Sequence, residues 1–286
     1  MSMQTQAQVL QRSPRSKGDR VKFWREARYG DLECLAARFR IHVYELHTHE
    51  SYVIGTITAG CERFEVAGVQ YAASSGDVCM LNPDMVHDGR PEGVGYSYRM
   101  IYPSVDLISE MVQELTGYAP GGTPTFRSIV ERDVELSQAF TRAHRALEQR
   151  RVALEADVQM MDVMSRILMR YGGISAPERS VRENRAVSVA KEYLAADVSR
   201  NVDLATLAGI AGLSRTHLIR AFKKETGMPP HAFLIDRRVR LARKLLLNGE
   251  APATVALVTG FADQAHMTRA FKARIGTTPG QFARMG

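Results

Sequence analysis

No run of 18 apolar residues occurs in this 286-residue chain, and its three cysteines, Cys34, Cys61 and Cys79, match neither a metal-binding nor a disulfide spacing. The first absence argues against a membrane-spanning helix, the second against a cysteine-built zinc site or a disulfide framework. The pattern of a secretory signal peptide is missing as well. Together these absences predict a cytoplasmic protein with no membrane partner, whose thiols act as small buried hydrophobes. No residue pattern calls for a cofactor.

What is present is ordinary globular composition, 45% hydrophobic and 24% charged, in a chain long enough for two domains. The net charge of +7 is unevenly shared: residues 186–286 hold 15 Lys and Arg against 7 Asp and Glu, and residues 1–185 hold 23 against 24. A basic excess confined to one end is expected of a phosphate-contacting surface.

The same end contains one segment twice. Arg220/Arg269, Ala221/Ala270, Phe222/Phe271, Lys223/Lys272, Gly227/Gly276 and Pro230/Pro279 are each 49 positions apart, whereas Ala208/Ala256 and Gly212/Gly260 are 48 apart. The second copy thus carries one extra residue in its turn. Each copy reads as a short helix, a tight turn at glycine and a second helix, and a unit used twice implies two equivalent docking surfaces. Ser214 and Asp263 sit where a short oxygen-bearing side chain caps a helix. Behind them, Leu218, Ala221 and Phe222 in one copy and Met267, Ala270 and Phe271 in the other form buried stripes at i, i+3, i+4 spacing. The opposite faces carry Thr216, Arg220 and Lys223, and Gln264, Thr268, Arg269 and Lys272, which are donors suited to base edges and phosphates. One basic amphipathic helix is an ordinary solvated face; two copies sharing turn, cap and basic face favour DNA recognition.

Between the copies, Pro230 to Leu247 reads as one helix ending at Asn248-Gly249. At 1.5 Å per residue it makes a rod of about 27 Å, close to the roughly 34 Å between successive major-groove faces on one side of B-DNA. Two helices hung from its ends could enter adjacent grooves.

The segment from Asn184 to Gly286 resembles the DNA-binding domain of the AraC/XylS family of bacterial transcription regulators, through the phrases Gly212 to Gly227 and Gly260 to Gly280. The resemblance implies base contacts from Arg215, Thr216, Ile219 and Arg220 in the first recognition helix, with Lys223 on phosphate. In the second it implies Gln264, Ala265, His266, Thr268 and Arg269. Ile219 and Ala265 cannot read a base by hydrogen bonding, but they can touch a thymine methyl. It further implies a regulator, expected to be an activator, whose partners are double-stranded promoter DNA, a small-molecule effector, RNA polymerase and a second copy of itself.

Upstream, Leu32–Phe39, Ile41–His47, Tyr52–Thr58, Cys61–Val66, Asp77–Asn82 and Tyr96–Tyr102 alternate with turn signals at Ala59-Gly60, Ala67-Gly68, Ser75-Gly76 and Asn82-Pro83. This spacing predicts a small antiparallel barrel. His47-Thr48-His49, Gly76-Asp77 and His87 resemble the cupin-type effector domain of the same family. Strand alternation places Glu45, His47 and His49 on one face, with His87 able to join them. A carboxylate at the usual cupin spacing is missing, since Tyr52, Val53 and Ile54 hold those places, so no metal is assigned. His47, His49, Tyr52, His87 and Arg99 are instead the candidate effector contacts. The rival reading is a cupin-type metalloenzyme, with metal on His47, His49 and His87 and the DNA domain as an accessory. A third is an architectural DNA binder without an effector.

Val105 to Thr116, Arg132 to Glu148 and Ala153 to Tyr171 are helical by period, and Leu154, Val158, Met161, Ser165 and Leu168 follow a near-3.5 repeat. Such a seam packs either on its own domain or on a partner; the resemblance implies dimerisation. The expected architecture is α+β and not enzymatic: a mobile tail (1–20), a cupin-like antiparallel β-barrel (21–104), a helical dimerisation region (105–171) and a linker (172–185). An all-α domain with two helix-turn-helix motifs joined by a long helix (186–286) completes it.

Overall fold

Along Leu32–Phe39 the side chains of Leu35, Ala37 and Phe39 alternate onto one face that joins a common core, while Leu32 and Cys34 are buried on the other face, the signature of a strand. In the computed structural model, which describes residues 18–118, 122, 124–149, 153–174, 182–275 and 277–283, this segment is β2 of an eight-stranded antiparallel sheet. The strands are β1 (Arg20–Glu26), β2 (Leu32–Phe39), β3 (Tyr44–His47), β4 (Val53–Val66), β5 (Val69–Ser74), β6 (Asp77–Leu81), β7 (His87–Tyr102) and β8 (Val130–Arg132). They run in the order β1-β2-β7-β4-β6-β8, with β3 also on β7 and β5 also on β4. The apolar layer inside this sheet includes Leu35, Phe39, Ile57, Phe64, Cys79 and Tyr98. Residues 1–17 of the expected tail and 175–181 of the expected linker lie outside the described residues, as do Gly276 and residues 284–286.

Several strands depart from the sequence reading. The turn expected at Ala59-Gly60 is instead a pair of register shifts inside the single strand β4, which continues on β7 to either side. β1, β5 and β8 have no counterpart in that reading, and β7 begins at His87 rather than Tyr96. Cys34 and Cys79 are buried as expected, which pushes both thiols above the usual range, but Cys61 is half exposed near Glu92.

Helices α1 (Val105–Thr116), α2 (Val134–Glu148) and α3 (Ala153–Tyr171) follow the sheet. The chain divides into two compact units, Met1–Glu148 with Asp162–Pro177, and Gln149–Met161 with Glu178–Gly286, so α3 contributes to both. Its apolar seam is buried within the chain: Leu154, Val158, Met161 and Leu168 are at most 1% exposed.

In the second unit, the remaining helices are α4 (Arg182–Ala196), α5 (Leu204–Ala211), α6 (Arg215–Thr226), α7 (Pro230–Leu247), α8 (Pro252–Val258), α9 (Gln264–Ile275) and α10 (Pro279–Phe282). The caps are as the sequence predicts: Ser214 Oγ accepts from His217 N at 3.4 Å, and Asp263 Oδ1 from His266 N at 2.6 Å. Both stripes are buried, and Ala208 and Ala256 are 3% and 2% exposed. The sequence did not reveal Arg238, which is fully buried in α7 and donates to the carbonyls of Val198 and Arg200 at 2.7 and 3.2 Å. Burial lowers its pKa to about 10.

Candidate DNA interface and ligand pocket

The two helix-turn-helix units are α5–α6 and α8–α9, joined by the 18-residue rod α7. Gly212 and Gly260 both adopt left-handed backbone in the turns, at φ of 65° and 77°. The second turn is longer, with Phe261 and Ala262 standing where Leu213 stands in the first.

On α6, Lys223 is exposed and Arg215 and Arg220 are partly exposed, available to a groove. Thr216 and Ile219, which the family resemblance also places at bases, are buried at 3% and 4% exposed. On α9, Gln264, Ala265 and Arg269 are exposed and Thr268 is partly so, with its hydroxyl donating to the Gln264 carbonyl at 2.8 Å. His266 is turned toward α3, where its Nε2 lies 3.9 Å from a Glu155 carboxylate oxygen.

In the first unit a pocket of about 480 Å³, counting its open mouth, is lined by Tyr44, His47, His49, Glu62, His87 and Tyr98 among others. His47 and His87 are direct partners across β3 and β7, with ring centroids 4.3 Å apart. A register shift between Tyr44 and His47 leaves Glu45 and Leu46 both exposed and turns Tyr44 and His47 both inward. That bulge removes Glu45 from the face on which simple alternation had placed it. His49 follows β3, with its ring 4.8 Å from His47 and 5.1 Å from His87.

The tautomers follow from hydrogen bonds. His47 Nδ1 lies 2.7 Å from the Glu45 carbonyl and His87 Nδ1 lies 2.9 Å from the Met85 carbonyl. A carbonyl oxygen only accepts, so each Nδ1 carries the proton and each Nε2 presents a lone pair. Burial keeps the rings neutral. It lowers His47, takes His87 to about 4 with the help of His47, and takes His49 to about 3 with help from the other two. Sequence reasoning missed Glu62 on β4, a buried acid whose pKa burial raises to about 7.

Tyr52 and Arg99 do not line this pocket, which corrects their assignment. Tyr52 is fully buried against Phe126, with its hydroxyl donating to the Pro124 carbonyl. Arg99 lies on the other face of β7, donating to His144 Nδ1 at 2.8 Å and Glu148 at 2.7 Å on α2.

A doubled helix-turn-helix unit beside a β-sheet domain with a histidine-lined pocket is the architecture of a DNA-binding transcription regulator with a ligand-binding domain. Known proteins agree. Residues 29–164 match the AraC-like ligand binding domain and residues 207–285 a helix-turn-helix domain. The uncharacterized HTH-type transcriptional regulator YbfI of Bacillus subtilis is 30% identical over 239 residues, covering 82% of this chain and 86% of that protein. The chain therefore belongs to the family of AraC-like helix-turn-helix transcriptional regulators. The regulator MtrA of Neisseria gonorrhoeae is 37% identical over 89 residues, 30% of this chain and 28% of MtrA. Among solved structures, an apo ToxT variant from Vibrio cholerae aligns over 95% of this chain and 98% of its own, at 13% identity and a TM-score of 0.36. The family assignment rests on the sequence matches. No described helix is long and apolar enough to cross a membrane.

Proposed function

We propose that this regulator is cytoplasmic and homodimeric and reads promoter DNA with α6 and α9 in adjacent major grooves. Arg215, Arg220, Gln264, Ala265, Thr268 and Arg269 reach base edges, and Lys223 reaches phosphate. The observation that carries this reading is the repeat: two capped helices with exposed donors outside and buried stripes inside, at either end of one rod. A ligand in the pocket of the first unit controls the second by binding one arrangement of the chain better than another, and it shifts the equilibrium by no more than that difference. The family supports a promoter-activating role through RNA polymerase, with dimerisation by the helices that follow the barrel. The α3 seam is occupied within the chain, so another face must serve.

The metalloenzyme reading is not favoured, since the sequence matches are to regulators over both units. Genome-wide mapping of bound sites, followed by footprinting with the purified chain, tests the proposal. The expected result is protection of two subsites about one helical turn apart. A protected region no longer than one subsite would contradict it, and a strictly monomeric chain in sedimentation would remove the dimer.

A further inference from the structure

The three imidazoles of the pocket raise a physical problem. Their ligand atoms all lie within 4.8 Å of one another, His49 and His87 are buried and His47 is half-buried. The carbonyls of Glu45 and Met85 take the Nδ1 protons of His47 and His87, so two Nε2 lone pairs are left on the pocket side. Acceptors gathered at this distance call for a shared partner between them, a donor such as water or an electrophile. A metal ion serves well. Histidines that bind a metal through one ring nitrogen characteristically donate from the other to a backbone carbonyl, which sets the tautomer and the ring orientation.

We propose that His47, His49 and His87 form a site for a divalent first-row transition-metal ion, with Nε2 of His47 and of His87 as ligands. Three neutral nitrogens without a carboxylate suit zinc, cobalt, nickel or copper and not magnesium or calcium, which demand oxygen. Nitrogen ligands at about 2.0–2.1 Å in a tetrahedral site stand about 3.3 Å apart. The cluster reaches that spacing by side-chain movements on the order of 1 Å from its 4.8 Å limit. Three protein ligands leave a position open toward the pocket, where Glu62 and Tyr98 stand, for water or a small donor ligand. That the ion is the signal passed to the DNA-binding unit rests on the regulator reading above; the site itself does not.

The test uses the full-length chain, free of any affinity tag and stripped with a chelator, then dialysed against Zn²⁺ or Co²⁺ alone. The expected result is one equivalent per chain, visible absorption from nitrogen-coordinated Co²⁺, and a zinc X-ray absorption spectrum with imidazole scattering. His47→Asn, at the most exposed of the three positions, should weaken uptake at least about tenfold, with His49→Asn and His87→Asn doing the same. His217→Asn on α6 should leave uptake unchanged. The wild-type spectra carry the test if a barrel variant fails to fold: an all-oxygen coordination shell overturns the site, as does uptake that survives in all three variants. DNA binding is followed in the same samples, so a chain that takes up no metal yet binds its operator overturns this site alone.

Discussion

Arg99 always donates, so the His144 Nδ1 that faces it must accept, and His144 Nε2 must carry the proton it gives to the Met100 carbonyl at 3.0 Å. Burial, followed by the charge of Arg99, lowers this imidazole from 6.5 to about 3. Above pH 6.5 the group is neutral in both folded and unfolded chains and adds no pH dependence. Between 6.5 and about 3 the unfolded chain takes up a proton that the folded chain refuses, so stability falls with pH by up to about 1.4 kcal/mol per unit. His144→Gln can keep both hydrogen bonds without titrating, and its unfolding free energy should fall less steeply between pH 6 and 4; parallel curves would contradict this account. In the second unit, Arg220→Ala or Arg269→Ala should cost about 1–3 kcal/mol on the specific site and relax preference at particular base pairs. Lys223→Ala should weaken all sequences alike. Competition binding against single-base variants checks this, and uniform losses for both arginines would mean that they touch only phosphate. The His47-Thr48-His49 and His87 pattern was legible in the sequence through its resemblance to a cupin-type domain, and His47 does face His87 across β3 and β7. Glu62 and Arg99 were not, because which face of a strand reaches a pocket depends on partner strands far away in the sequence.

The helical elements of the second unit were readable because their signals are local. Caps at Ser214 and Asp263, glycines at Gly212 and Gly260, and a rod opened by Pro230 all act within one turn of the chain. The barrel yielded less. The β4 register shifts and the β3 bulge arise from pairing with β7, and no alternation inside either strand announces them. The repeat also hides a difference that only structure exposes. A Cβ added at Gly212 meets nothing within 4 Å, whereas one at Gly260 would lie 2.5 Å from the Ser199 carbonyl oxygen and 2.7 Å from its Cα. Gly212→Ala should therefore cost only the left-handed backbone penalty, roughly 1–2 kcal/mol. Gly260→Ala must also move backbone, so it should lower the melting temperature clearly more. Thermal unfolding of the two variants compares them, and equal shifts would mean that the Ser199 approach relaxes freely.

At the scale of the whole molecule, charge and fold divide the work. The unit that carries the basic excess holds both candidate reading helices, and the other holds the pocket. A fragment from Glu178 to Gly286 should bind DNA with log affinity falling linearly in log salt concentration, and salt-insensitive binding would count against a phosphate-facing surface. The rod of about 27 Å is shorter than the roughly 34 Å between adjacent grooves, so flexible base steps between the subsites should be favoured even where no side chain reaches them. The most direct measurement of the central claim is the affinity of the chain for its operator with five or ten base pairs inserted between the two subsites. Five turn one subsite to the far side of the duplex, and ten restore the face but exceed the reach of the rod. Both should reduce binding to the level of a single motif; undiminished affinity for either would show that the two helix-turn-helix units do not read one site together.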